Sequence, residues 1–213
     1  MFLTDQLFFP SVFQANEDGL LAVGGDLSLE RLKLAYKSGI FPWYSHGEPI
    51  LWYSPDPRMV LFPSELKISK SMRQVIRSNR FSVTFNCEFE QVITNCKSVN
   101  RTLQGQTDTW ITDEMQKAYI NLYDKGIAKS VEVWEKDTLV GGLYGVEVGN
   151  VFCGESMFSK TSNASKMAFI SLVNHSKKKF DLIDCQIYNE HLASLGAREI
   201  SRASFLKYLP SLG

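Results

Sequence analysis

The sequence predicts an α+β fold in which a mixed, mainly antiparallel sheet is flanked by helices. Apolar residues alternate with a period of two in three consecutive segments, 131–134, 139–148 and 151–158, which are joined by short turns. A helical pattern, an apolar strand and further helical patterns follow these segments. The N-terminal part is instead rich in glycine, proline and aromatic residues, which predicts a small α+β domain at 1–60 before a larger domain at 61–213.

The overall composition excludes several functional classes. The chain has 23 Lys plus Arg and 23 Asp plus Glu, so no global charge attracts a polyanion and any nucleic-acid contact must be local. No apolar run is long enough to span a bilayer, and the N-terminus lacks the basic segment and cleavage site of a signal peptide. The four cysteines form no Cys-x-x-Cys pair and the three histidines are scattered, which favours a cytoplasmic protein with free thiols and no metal site.

In the N-terminal domain, one helix is predicted between a serine cap and a glycine. Ser28 is a favourable N-cap for a helix over 29–38, and Gly39 stands where a C′ glycine is common. Two aromatic clusters follow, GIFPWY at 39–44 and LWYSPDPR at 51–58, and their prolines argue against regular structure. The clusters form either a small satellite core or a stacking platform for a nucleic-acid base.

The one strongly basic segment is predicted to form an amphipathic helix over 65–80. Lys70, Arg73, Arg77 and Arg80 recur at intervals of three and four residues, so they share one helix face. No acidic residue stands between them, whereas a solvated helix face usually mixes both signs. This pattern favours contact with a phosphate backbone over a plain solvated face.

The remaining elements are predicted from periodicity and caps. Alternation over 81–85 indicates a strand, and Thr112 is a favourable N-cap for a helix that ends before Gly126. The polar segment 98–109 is predicted to be a loop. Further helices are expected over 89–96, 164–177, 190–195 and 202–209, with an apolar strand over 182–186.

The order meander, helix, strand, helix is typical of an N-acyltransferase core of the GNAT type. That fold usually holds the pyrophosphate of acyl-CoA on a glycine-rich turn before its central helix. The corresponding segment here, SKTSN at 159–163, contains no glycine. The sequence therefore predicts a GNAT-like fold that does not use acyl-CoA as its donor.

Polar side chains stand in two otherwise apolar strands. Glu155 follows Gly154 in VFCGES, and Asp184 and Gln186 are two residues apart in LIDCQ, a spacing that places them on one side of a strand. Glu155 is either an exposed carboxylate at a strand end or one that receives a substrate ammonium in an apolar pocket. Asp184 and Gln186 either satisfy neighbouring backbone groups or belong to a catalytic site.

Ten segments occur in an order that resembles the leucyl/phenylalanyl-tRNA–protein transferase family. FCGESMFS at 152–159 together with LIDCQ at 182–186 is highly specific, and the resemblance covers nearly the whole chain. It implies an enzyme that transfers Leu or Phe, with Met as a further candidate, from its tRNA to the N-terminal Arg or Lys of a protein. The product would enter an N-degron degradation route. The resemblance implies no cofactor.

The resemblance also implies roles for individual residues. Asp184 and Gln186 resemble the catalytic pair, Glu155 the residue that contacts the aminoacyl α-amino group, and Trp43 the aromatic residue that stacks on the terminal adenine of the tRNA. Trp110 and Tyr119 resemble residues that line the substrate site, and Leu143, Phe152, Met157 and Ile183 resemble the walls of the aminoacyl side-chain pocket. The sequence departs from the family at Lys129, where histidine is expected, and at Leu143, where methionine is common.

The implied chemistry suits these residue types. Aminoacyl-tRNA is already an activated ester, so aminolysis requires alignment of an amine and acceptance of its proton. Gln186 cannot titrate, Asp184 is able to polarise it or relay a proton, and the tRNA ribose hydroxyl is a competing acceptor. A non-catalytic RNA-binding module and a CoA-dependent N-acetyltransferase are the alternatives. A monomer is expected, although the sequence does not determine the oligomeric state.

Overall fold

The computed structural model describes residues 1–98 and 111–211 and has the predicted mixed α+β fold, with mainly antiparallel sheets flanked by helices. Two sheets organise it. Strands within the first 53 residues form a four-stranded sheet, and later strands form a seven-stranded sheet. Within the described ranges, no helix has both the length and the apolar character that a membrane crossing requires.

The N-terminal sheet has four short strands, and one helix lies between the second and third of them along the chain. Its order is β1-β2-β4-β3, and its elements are β1 (Phe2–Leu3), β2 (Leu20–Gly24), α1 (Leu29–Lys37), β3 (Phe41–Pro42) and β4 (Leu51–Tyr53). The helix begins as predicted, because the Ser28 hydroxyl accepts a hydrogen bond from the backbone N–H of Arg31 at 3.3 Å. Gly39 has a φ of +75°, as expected of a C′ glycine. None of these four short strands was predicted, since β1 has only two residues and prolines and turn residues interrupt the other apolar runs.

The larger sheet has the order β11-β5-β10-β9-β8-β7-β6. The β9–β10 pair is parallel, and the other described pairs of this sheet are antiparallel. Its elements are β5 (Arg58–Leu61), α2 (Lys70–Arg77), β6 (Ser82–Phe85), α3 (Phe89–Ser98), α4 (Asp113–Asp124), β7 (Ala128–Glu135), β8 (Thr138–Val148), β9 (Val151–Ser159), α5 (Ala164–His175), β10 (Leu182–Gln186), α6 (Glu190–Ala193), β11 (Arg198–Ile200) and α7 (Arg202–Leu206).

The predicted meander is present as β7, β8 and β9, and α5, β10 and α6 follow it in the expected order. The element order associated above with a GNAT-type core is therefore observed. Strands β5 and β11, which complete the sheet beyond β10, were not predicted. β5 directly follows the Pro-Asp-Pro segment, and β11 has only three residues, so neither offers a period long enough to recognise.

The helix in the basic segment is shorter than the predicted 65–80. Ser69 is its N-cap and accepts a hydrogen bond from the backbone N–H of Met72 at 3.2 Å. The helix ends at Arg77, and Asn79 has a φ of +51°, which is incompatible with a continuing right-handed helix. The predicted boundaries were wrong because the caps, rather than the charge pattern, define the ends.

The predicted four-residue stripe is therefore divided. Lys70, Arg73 and Arg77 lie exposed on α2, and within residues 1–98 and 111–211 none of them forms an ion pair. Arg80 lies beyond the helix, and its Nε donates to Oε1 of Glu135 at 2.8 Å. We call Lys70, Arg73 and Arg77 the basic face of α2.

The hydrophobic core has two clusters, one on each face of the seven-stranded sheet. Neighbouring residues of β8 show the division, since Leu143 packs in one cluster and Tyr144 in the other. The cluster that contains Tyr144 also holds Trp52 of the N-terminal sheet, Tyr119 of α4 and Phe205 of α7, all of them fully buried. The N-terminal sheet is thus packed into the same core as the larger sheet.

Candidate active site

A cavity of about 520 Å³ opens where the parallel strands β9 and β10 separate. The two strands pair from Val151 with Leu182 to Cys153 with Asp184, and the described pairing goes no further. Residues from both strands beyond this point line the cavity. Its volume is typical of a pocket for a small molecule.

A β-bulge places Glu155 beside this cavity. In the pairing of β8 with β9, Tyr144 faces Ser156 but Gly145 faces Gly154, so Glu155 is the extra residue of β9. The two backbones come so close together there that a Cβ on Gly145 would lie 2.3 Å from the carbonyl oxygen of Cys153. Gly145, the last glycine of LVGGLYGV, is therefore required by the close approach of the two strands.

A second bulge lies in β10 on the other side of the cavity. Val60 of β5 faces Asp184 and Met59 faces Gln186, so Cys185 is the extra residue. Gln186 has a φ of +65°, which is uncommon for a residue other than glycine. The prediction that Asp184 and Gln186 lie on one side of the strand depended on regular alternation along it. The bulge interrupts this alternation, and the two side chains have different partners.

Glu155 is buried, with 8% of its surface exposed, and lies in the middle of β9. The Tyr119 hydroxyl donates to its Oε2 at 2.8 Å, and Nε2 of Gln186 donates to its Oε1 at 2.8 Å. The hydroxyls of Tyr36 and Tyr119 share a further hydrogen bond. The alternative of an exposed carboxylate at a strand end is therefore excluded.

Burial raises the pKa of Glu155 to about 7, against the lowering effect of hydrogen bonds from Tyr36 and Tyr119. Burial also raises the pKa of both tyrosines well above the usual value, so they remain hydroxyl donors. Near neutral pH, Glu155 is thus balanced between its protonated and ionised forms. A nearby ammonium would favour the ionised form.

Asp184 is fully buried and forms a bidentate ion pair with Arg58. The Nε and Nη2 atoms of Arg58 donate to Oδ1 and Oδ2 of Asp184 at 2.8 and 2.6 Å. The backbone N–H of Gln186 also donates to Oδ1, at 2.9 Å. The Arg58 guanidinium lies over the rings of Phe41 and Phe205, and although burial opposes its charge, Asp184 raises its pKa. The arginine therefore remains charged.

The walls of the cavity are largely apolar. Leu143, Phe152, Met157 and Ile183, which the sequence singled out, all line it, together with Phe169 and Leu172 of α5. Trp43 is half-buried and also lines the cavity, with its ring centroid 5.7 Å from that of Tyr53.

Other sequence candidates lie elsewhere. Tyr119 is fully buried behind Glu155 and is absent from the cavity lining. Trp110 lies outside the described residues. Arg58, which pairs with Asp184, and Tyr36, whose hydroxyl bonds to that of Tyr119, were not singled out from the sequence. A buried Asp184 required a cation, and this requirement was the available signal for an arginine.

No group of His, Cys, Asp and Glu side chains in the described ranges is suited to holding a metal ion.

Comparisons with known proteins extend over almost the whole chain. The family model described as leucyl/phenylalanyl-tRNA protein transferase matches residues 60–210, and the model of its N-terminal domain matches residues 25–56. A leucyl/phenylalanyl-tRNA–protein transferase of Flavobacterium johnsoniae is 60% identical over 99% of this chain and 99% of its own. One of Flavobacterium psychrophilum is 61% identical over 98% of each chain. A crystal structure of a conserved protein of unknown function from Bacteroides thetaiotaomicron has a TM-score of 0.47 at 16% identity, covering 66% of this chain and 55% of that one.

These matches establish the class of protein, an enzyme that transfers an aminoacyl group from tRNA to a protein. The chain belongs to the leucyl/phenylalanyl-tRNA–protein transferase family. The cavity between β9 and β10 is the candidate site for that transfer, since it combines an apolar wall with a buried carboxylate.

Proposed function

We propose that the enzyme transfers leucine or phenylalanine from leucyl-tRNA or phenylalanyl-tRNA to the N-terminal arginine or lysine of a cytoplasmic protein. Methionine is a further candidate donor. The product would be directed to N-degron degradation. The observation that carries the proposal is a largely apolar cavity of about 520 Å³ with two buried carboxylates in its wall, of which Asp184 is paired with Arg58 and Glu155 has no cationic partner among the described residues.

The aminoacyl group is proposed to occupy this cavity. Its side chain would pack against the apolar wall, and its α-ammonium would lie against Glu155. Such a partner suits a carboxyl group whose pKa burial raises to about 7, because it would hold the group in its ionised form. Trp43 lines the same cavity and would stack on the terminal adenine. Trp110 keeps its proposed place in the lining of the substrate site.

Gln186 is proposed to align the acceptor amine. Its amide nitrogen already donates to Glu155, so its carbonyl oxygen is the atom suited to accept an N–H of the amine. The amine nitrogen attacks the ester carbon, the amide bond forms and the ester bond to the ribose breaks. The amine loses a proton and the departing ribose oxygen gains one. Both oxygens of Asp184 accept from Arg58, and we assign Asp184 the role of positioning Gln186.

The tRNA body is proposed to lie across the basic face of α2. Lys70, Arg73 and Arg77 are exposed there and suited to phosphate contacts. Arg80 would contribute less, because its guanidinium already interacts with Glu135.

The test is single-turnover transfer of phenylalanine from charged tRNA to a peptide that begins with arginine. A matched peptide with an acetylated N-terminus is the control, and we expect it to accept nothing. Gln186→Ala should lower the rate by about a hundredfold with little change in tRNA affinity, because misalignment of a reacting group costs about that much. Transfer by Gln186→Ala at the wild-type rate would contradict the assigned role.

The same assay separates the alternatives. An RNA-binding module would bind charged tRNA but form no product. A CoA-dependent N-acetyltransferase would modify the peptide with acetyl-CoA as the donor.

A further inference from the structure

We infer that Arg58 is a positioning residue for the transfer reaction, which acts by holding Asp184 so that Asp184 fixes the backbone of Gln186. The inference rests on the proposed function of Gln186. It goes beyond that function because it gives a task to an arginine on β5, which does not line the cavity.

One oxygen atom links the three residues. Oδ1 of Asp184 accepts from Nε of Arg58 at 2.8 Å and from the backbone N–H of Gln186 at 2.9 Å. Nη2 of Arg58 holds the other oxygen at 2.6 Å. A bidentate guanidinium fixes both the position and the plane of a carboxylate. The plane of the arginine therefore determines where the acceptor for the Gln186 N–H lies.

Gln186 needs such an acceptor because its backbone is in a sparsely populated conformation. Its φ is +65°, and the preceding residue, Cys185, is the extra residue of a bulge. A residue other than glycine stays in this region only where its surroundings hold it there. Asp184 holds the backbone N–H of Gln186, and Glu155 holds its amide nitrogen. The backbone and the side chain of Gln186 are thus both fixed, and a group that aligns a substrate needs such a fixed orientation.

The ion pair is isolated from solvent. Asp184 is fully buried and Arg58 is 2% exposed. The guanidinium carbon of Arg58 lies 4.8 Å from the ring centroid of Phe41 and 4.6 Å from that of Phe205. The Arg58 Nη1 atom also donates to the carbonyl oxygen of Gly39 at 3.2 Å. The arginine thereby connects the segment after α1, the strand β10 and the helix α7 around a single guanidinium.

A purely structural ion pair and a positioning pair predict different behaviour for one double variant. Replacing both partners of a buried ion pair with apolar residues is often neutral for stability. We therefore expect Arg58→Met with Asp184→Leu to melt at a higher temperature than Arg58→Met alone. The double variant should still transfer phenylalanine about a hundredfold more slowly than wild type, because Gln186 has lost its acceptor. The KM for charged tRNA should change little.

Recovery of the transfer rate together with the melting temperature in the double variant would overturn the inference. Arg58→Lys provides a second test that keeps the charge and removes the bidentate fork. It should lower the melting temperature less than Arg58→Met does, because Asp184 keeps a cationic partner, yet its kcat should fall by about tenfold or more at an unchanged KM for charged tRNA. A wild-type kcat in Arg58→Lys would also overturn the inference.

Two comparisons complete the experiment. Arg31 is another buried arginine, ion-paired with Asp26 and outside the cavity, so Arg31→Met should lower the melting temperature without lowering kcat. Gln186→Ala separates the two proposals. If Gln186→Ala is slow while the Arg58 variants transfer at the wild-type rate, the inference about Arg58 fails and the proposed function of Gln186 stands. If Gln186→Ala transfers at the wild-type rate, the proposed function of Gln186 fails.

Discussion

Glu155 shows how a single bulge determines the chemistry of one residue. Its position outside the β8–β9 register turns its carboxyl group towards two hydrogen-bond donors, Tyr119 and Gln186, within an apolar wall. Burial then raises its pKa to about 7, well above the ordinary value of 4.5. The folded protein consequently keeps a proton on Glu155 over a pH range in which the unfolded chain releases it.

This difference predicts how stability depends on pH. Because the folded pKa is the higher one, the contribution of Glu155 is fully present below about pH 4.5 and is lost as the pH rises to about 7. A pKa difference of one corresponds to about 1.4 kcal/mol, so the loss over this window is of the order of 3 kcal/mol. The glutamine of Glu155→Gln cannot ionise, so this variant should not lose that stability as the pH rises. Denaturant unfolding at pH 5 and pH 7.5 should show the variant gaining stability relative to wild type at the higher pH.

The matched control is Glu17→Gln, which alters an exposed carboxylate outside the cavity. Its stability relative to wild type should be the same at both pH values. A constant difference between Glu155→Gln and wild type across the window would show that the pKa of Glu155 is not raised by folding.

At the scale of single elements, α2 illustrates how caps limit a charge pattern. The repeat of basic residues continues to Arg80, but the helix ends at Arg77 and the chain turns at Asn79. The apolar side of the helix is buried through Met72, so its basic face is directed to solvent. Lys and Arg on such a face interact with phosphate through a salt-dependent contribution.

The basic face of α2 is predicted to contribute to tRNA affinity. Arg73→Ala with Arg77→Ala should weaken tRNA binding and flatten its salt dependence by about one unit of slope for each lost phosphate contact. Filter binding across a salt series would measure both effects. Arg80→Ala removes the same charge as either single change but from a guanidinium already bound to Glu135, so its effect should be smaller. Equal salt slopes for the double variant and wild type would show that the basic face of α2 is only solvated and does not contact tRNA phosphates.

At the scale of the whole molecule, the C-terminal helix α7 connects the two sheets. Phe205 is fully buried in the cluster that contains Trp52 of the N-terminal sheet, and its ring lies 4.6 Å from the guanidinium carbon of Arg58. Arg202, at the start of the same helix, donates through Nη1 to the carbonyl oxygen of Ser54. Packing of this short helix therefore contributes to the core that both sheets share.

Phe205→Ala is predicted to lower the free energy of unfolding by about 3–5 kcal/mol, as for other fully buried phenylalanines. Tyr208→Ala is the matched control on the turn after the helix, where the side chain is 37% exposed, and it should cost about 1 kcal/mol or less. Chemical denaturation of both variants provides the measurement. Losses of similar size would show that α7 does not contribute specifically to the shared core.

Some features of this protein were determined by local sequence alone. Alternation with a period of two identified β7, β8 and β9, and capping serine and threonine located the starts of α1 and α4. Local sequence also placed polar groups in FCGES and LIDCQ, and these motifs led to the family. Such features depend on neighbouring residues, and their physical causes, side-chain periodicity and backbone capping, act within a few positions of the chain.

Only the tertiary structure decided how these polar groups act. Arg58 and Asp184 are 126 positions apart, and Tyr119 and Glu155 are 36 apart, so no local pattern could pair them. The bulges at Glu155 and Cys185 likewise depend on the register between strands. A buried charge needs a partner, but the identity of that partner is determined by which strands and helices pack together, and this is a property of the whole chain.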